Sequence, residues 1–144
     1  MLTMANHDYI IEKKSVICMQ CALARVGLST ITSDHLDVWT PYVELDGMDL
    51  TWVRYLYNPN IDFKYELTPE GTNPLLLCPS KERALIEYIK CEKWRDEGPL
   101  IEALKDYLEF FKNIPKLYAA AEYFSVSREE LDYWIKEAEE DIEI

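Results

Sequence analysis

Leu75-Leu76-Leu77-Cys78-Pro79-Ser80-Lys81-Glu82-Arg83-Ala84-Leu85 is the stretch whose reading decides the fold. Its four leading apolar residues form a continuous run short enough for a central strand. Pro79 ends that strand, because proline has no amide proton to give to a ladder. Ser80 then stands where a helix needs a cap, its hydroxyl able to accept a free amide of the first turn. Ala84, Leu85, Tyr88 and Ile89 follow at three- and four-residue spacing, which predicts a helix over 81–93 with that stripe inward. The hydrophobic period therefore changes at residue 80.

Upstream, residues 15–26 read as a helix with Ser15 as N-cap, Gly27 as stop and Ile17, Cys21, Ala24 and Leu28 facing the core. Leu36-Asp37-Val38-Trp39 alternates and meets Pro41, as an exposed-edge or terminating strand would. Tyr42-Val43-Glu44-Leu45, the turn pair Asp46-Gly47 and residues 51–57 read as a hairpin closed by Asn58-Pro59. Phe63-Lys64-Tyr65-Glu66-Leu67 alternates again. Downstream, Gly98-Pro99 breaks the helical pattern, a second helix is predicted over 100–111, and Pro115 opens a third over 116–124. Ser127 and Glu130 make a capping box that launches a fourth helix to about residue 140, with Leu131, Trp134, Ile135 and Ala138 inward. The expected fold class is α+β: a leading helix and a small, mainly antiparallel sheet packed with a C-terminal helical half. One domain is expected over 1–144, with helix and sheet at 15–79 and helices at 80–141.

Composition narrows the function. The chain has 144 residues, 49% of them hydrophobic, and a formal charge of -12. That length allows one sizeable core. The acid is spread along the chain: residues 1–80 carry 10 Asp/Glu against 5 Lys/Arg, and residues 81–144 carry 17 against 10. A nucleic-acid-binding domain needs a basic face that replaces phosphate counterions, so protein recognition is the better expectation. No signal peptide and no apolar run of membrane-spanning length is visible, which predicts a cytoplasmic protein without a membrane partner.

Catalytic patterns are sparse. GxGxxG, P-loop, HExxH and nucleophile-elbow strings are absent, and the four glycines fall at predicted boundaries. Cys18 and Cys21 form a CxxC string, but their place in an apolar helix reads as buried thiols rather than half a zinc site. His7 lies in a polar N-terminal segment. His35, flanked by Asp34 and Asp37, is the one candidate base, and reads more simply as a loop histidine. No catalytic residue, cofactor or metal is expected. The four Trp and ten Tyr are assigned to core and protein interfaces. Trp39, Trp52, Arg54, Tyr133 and Trp134 are the candidate contact residues. Residues 119–131 resemble a helix-turn-helix, yet the second helix offers Glu129, Glu130, Asp132, Glu137, Glu139, Glu140 and Asp141 against Arg128 and Lys136, a surface that repels phosphate.

Three stretches carry a family resemblance. Residues 16–30, a helix followed by Gly27-Leu28-Ser29-Thr30, look like the opening of the effector-side domain of AbiEi-type antitoxins. Leu36-Asp37-Val38-Trp39-Thr40 resembles the strand set that follows there. Cys78-Pro79-Ser80-Lys81-Glu82-Arg83-Ala84-Leu85 resembles that family's strand end, Pro-Ser/Glu-x-Arg-Ala-Leu, and a helical half follows in both. The resemblance spans about residues 15–112. It implies an antitoxin-like protein-interaction domain of a type IV toxin–antitoxin or phage-defence system, the partner being a nucleotidyltransferase-like toxin or another basic protein. The family represses its own operon through an N-terminal winged helix-turn-helix and a basic C-terminal domain. Only about 14 residues precede the first matched helix and the matched part is acidic, so DNA binding by this chain alone is not expected. The alternatives are a DNA-binding transcriptional regulator and a small protein-binding domain of an unrelated pathway.

Overall fold

The computed structural model describes residues 13–28, 35–50, 53–71, 73–92 and 95–142. The architecture is α+β. Strands β1 (Ser15–Ile17), β2 (Leu36–Thr40), β3 (Asp49–Leu50), β4 (Val53–Tyr57), β5 (Leu67–Glu70) and β6 (Asn73–Pro79) form a sheet in the order β3-β4-β2-β1-β6-β5. Helix α1 (Met19–Arg25) lies between β1 and β2 in the chain. The helical half comprises α2 (Lys81–Lys90), α3 (Glu97–Asp106), a π-helical turn (Tyr107–Phe111), α4 (Ile114–Tyr123) and α5 (Arg128–Ile142).

Sheet topology corrects the sequence reading in several places. Ser15, expected to cap a helix, lies in β1, and the expected helix over 15–26 is a strand followed by a shorter helix. Its residues Val16 and Ile17 are β-branched and fill the slot between β2 and β6 with registers Val16↔Trp39 and Val16↔Leu77. β2 is thereby an interior strand rather than an edge, antiparallel to β1 and parallel to β4. The sheet is mixed: β3–β4 and β5–β6 are also antiparallel, whereas β1–β6 is parallel. Residues 43–45 form a 3-10 turn, not a strand. Asp46-Gly47 enters the β3–β4 hairpin instead of forming its tip: Gly47 N–H donates to Tyr55 O, and Tyr55 N–H donates to Met48 O. Of the segment 63–67, Leu67 alone is in a strand, because the Asp62 carboxylate takes the Lys64 and Tyr65 amides and turns the chain. Pro69 sits in β5 at the sheet edge, where a missing donor is tolerated.

The residue-80 junction forms as read. Ser80 Oγ accepts the Arg83 amide at 3.2 Å, and Ala84, Leu85, Tyr88 and Ile89 are buried. Burial around α2 is wider than one stripe, taking in Glu82, Arg83 and Ile86 as well, since the helix packs against α1, β6, α3 and α4. It ends at Lys90, short of the expected residue 93. Gly98 and Pro99 fall in the first turn of α3, where proline costs no hydrogen bond. α4 starts at Ile114, before the expected residue 116, with Asn113 Oδ1 accepting the Lys116 amide. Ser127 Oγ accepts the Glu130 amide at 3.1 Å, and α5 follows with Leu131, Trp134 and Ala138 buried. Sheet and helices share one hydrophobic core.

Candidate functional site

The most shapely surface of the helical half is a trough between the π-helical turn, α4 and α5. The π turn ends α3 because Tyr107 is drawn inward. Its hydroxyl lies 2.8 Å from both Glu82 Oε2 and Asn113 O and accepts the Asn113 amide at 3.0 Å. One proton serves two acceptors there, and the carboxylate makes the stronger bond. Burial, then the Glu82 carboxylate, pushes the phenol well above its ordinary range, so it stays a donor. With Tyr107 fixed, the following residues bulge outward: Leu108 is half-buried and Phe110 is 68% exposed.

Two depressions open along this side, of about 470 and about 420 Å³. The larger is lined by Leu108, Ile114, Tyr118 and Ile135, with Glu109, Lys112 and Glu139 among its walls. The smaller lies over the α4–α5 turn, against Pro115, Ala119, Val126, Glu122 and Arg128. They share Tyr118. Its hydroxyl donates to the Asp132 carboxylate, which, ahead of burial, holds the phenol above its ordinary value. The Arg128 guanidinium sits 4.5 Å from the centre of the same ring. Arg128, Asp132, Ile135 and Glu139 are spaced three or four apart, so one stripe of α5 forms a wall of the whole trough. The remaining exposed surface of α5 carries Glu129, Glu137 and Glu140 beside Lys136 and Tyr133. The trough is therefore apolar at its base, with Glu109, Glu122 and Glu139 against Lys112 and Arg128 at its walls and an acidic excess on the neighbouring surface of α5, an arrangement suited to a segment with apolar anchors and some positive charge.

A third depression, of about 530 Å³, is polar and lies between β6, the start of α2 and α4. Arg25, Lys81 and Lys116 line it. Arg25 pairs with Glu70 at 2.6 Å, Lys116 lies between Glu66 and Glu82 at 3.6 and 3.5 Å, and Lys81 stands over the Phe111 ring. The local positive charge is largely neutralised. Cys78 at its edge is a poor nucleophile, its thiol pushed up to about 11 by burial.

The CxxC string straddles the β1–α1 junction: Cys18 is buried and Cys21 half-buried, both as free thiols. Burial raises both thiols, and the Cys21 sulfur takes the Asp37 amide while donating to His35 O. Among the described residues, no three His, Cys, Asp or Glu side chains come together to hold a metal. His35 Nε2 lies 3.4 Å from Asp37 Oδ1, and Arg54 grips the same carboxylate with two bonds of 2.8 and 2.9 Å. The three depressions are lined by other residues.

Of the five contact residues expected from sequence, Trp39 is buried in β2 and Trp134 is buried in α5. Trp52 lies outside the described residues. Arg54 has a side chain 40% exposed but committed to Asp37. Tyr133 is 55% exposed and packs edge-on against Trp134 at 5.0 Å. None of the four that are described lines the trough. Leu108, Ile114, Tyr118 and Ile135 do, and a hint existed in the mixed apolar and acidic stripe Asp132-Ile135-Glu139. Sequence spacing reads Leu108 and Ile135 as simple core, because it cannot show that both stop half-buried at the core's margin, where they line the depression. Among the described residues, no helix is long and apolar enough to cross a membrane. No protein-family model matches this chain, and no curated protein matches it.

Proposed function

We propose that this chain is an antitoxin-like protein-interaction domain of a type IV toxin–antitoxin or phage-defence system, working in the cytoplasm on a basic protein partner and not binding DNA by itself. The observation that carries the reading is the trough of Leu108, Ile114, Tyr118 and Ile135 set in an acidic surface. Apolar anchors supply affinity, and the surrounding carboxylates select positive partners and speed encounter. The likeness of residues 15–112 to AbiEi-type antitoxins supplies the biological setting. Residues 119–131 resemble a helix-turn-helix in sequence, but the helix that follows the turn is acidic.

The test is expression of the tagged protein with its chromosomal neighbours, followed by mass spectrometry of what co-purifies and light scattering of the complex. A stoichiometric nucleotidyltransferase-like protein, and rescue of growth when that protein is toxic, are the expected results. No partner and no rescue would overturn the antitoxin reading.

A further inference from the structure

We propose that the trough receives an amphipathic helix of the partner, about three turns long, with leucine-like anchors on one face and Lys or Arg on its flanks. This rests on the reading that the domain binds a basic protein, and it names the surface and the complement. The wall from Arg128 to Glu139 spans roughly 16 Å at about 1.5 Å per residue, the length of three helical turns. The base is apolar in the manner of helix-receiving grooves, where anchors recur every three or four residues. Three exposed carboxylates, Glu109 and Glu139 beside the larger depression and Glu122 beside the smaller, stand against the exposed cations Lys112 and Arg128, and Arg128 is engaged with the Tyr118 ring. Positive flanks on the incoming helix would lie against these carboxylates. A second copy of this chain fits poorly, because each copy carries a formal charge of -12.

Three synthetic helices of about 14 residues separate the contributions. One has leucine at helical spacing with lysine elsewhere. The second has the same leucines with glutamate, and the third keeps the lysines with serine replacing leucine. Each is titrated into the isotopically labelled full chain while backbone amide shifts are followed. The expected result is saturable binding of the leucine–lysine helix, with shifts clustered over 108–118 and 128–139, and at least tenfold weaker binding of the other two. Reversing charge with Glu109→Lys and Glu139→Lys, both exposed and so tolerated by the fold, should weaken the leucine–lysine helix by about tenfold and strengthen the leucine–glutamate one. Equal binding of the serine–lysine helix, shifts on another face, or a concentration-dependent dimer using the trough would overturn the proposal. Peptide binding without any co-purifying partner would support the trough while counting against the antitoxin reading. A co-purifying partner with no peptide binding would do the reverse.

Discussion

At Arg83 a guanidinium with no exposed surface meets two carbonyls, the Glu87 and Asp62 carboxylates and an aromatic ring. Its Nη1 and Nη2 donate to Tyr65 O at 2.5 Å and Asp62 O at 2.7 Å, its Nε donates to Glu87 at 2.9 Å, and its Cζ lies 4.9 Å from the Phe124 ring centre. The residue ties the turn at 62–65 to α2 and to the end of α4. Removing one partner of a buried pair typically costs about 3–5 kcal/mol, so Arg83→Met should destabilise by roughly that amount. The cost should depend on pH. Burial raises Glu87 above its ordinary 4.5 although Arg83 pulls it down. A carboxyl raised in the folded state binds protons more tightly there, so its contribution falls as pH climbs from the unfolded value through the folded one. Without Arg83 the folded value rises further. The deficit of Arg83→Met should therefore widen in urea titrations as pH rises above the ordinary carboxyl value of 4.5; a deficit independent of pH would sink this account. Ser80 was legible as a cap because its partner lies three residues on. Arg83 was not, because inside Lys81-Glu82-Arg83 it reads as one more solvated charge, and its acceptors at 62 and 65 are assembled by folding.

Among the elements, α1 and α4 end in the same way. After α1, Leu28 N–H donates to Leu23 O and Gly27 N–H to Ala24 O; after α4, Val126 N–H donates to Ala121 O and Ser125 N–H to Glu122 O. Both are left-handed closures, with φ of +81° at Gly27 and +60° at Ser125. Glycine adopts that conformation freely, whereas a residue with a Cβ is strained by about 1–2 kcal/mol. Ser125→Gly should raise stability by roughly 0.5–1 kcal/mol once the greater freedom of the unfolded glycine is subtracted. Gly27→Ala should lower it by about 1 kcal/mol, from backbone strain alone, since an added Cβ there meets nothing within 4 Å. Thermal unfolding of the two variants would show shifts of opposite sign; a fall for Ser125→Gly would refute the strain argument. The stop at Gly27 and the cap at Ser127 were legible from residue type. The closure at Ser125 was hidden, as serine rarely marks that position. β1 was hidden too: three residues carry no period, and they become a strand when β2 and β6 offer partners on both sides.

Across the molecule, charge decides what the helix-turn-helix-like stretch at 119–131 can do. The exposed positions of α5 bear five carboxylates, at Glu129, Asp132, Glu137, Glu139 and Glu140, against Arg128 and Lys136. A DNA reader gains affinity by releasing counterions to its cations, a gain this face cannot make. The chain alone should give no mobility shift with duplex DNA at about 0.15 M salt; a complex that weakens steeply with added salt would contradict this reading. The sequence by itself determined the α+β class, the junction at residue 80, the four C-terminal helices and the acidic balance. These depend on neighbours a few residues apart or on composition. Only the tertiary structure decided the strand order, the burial of Arg83 with Glu87, and the trough around Tyr118. Each of these joins residues far apart in the chain, and whether a charge is solvated or an apolar side chain covered depends on what packs beside it.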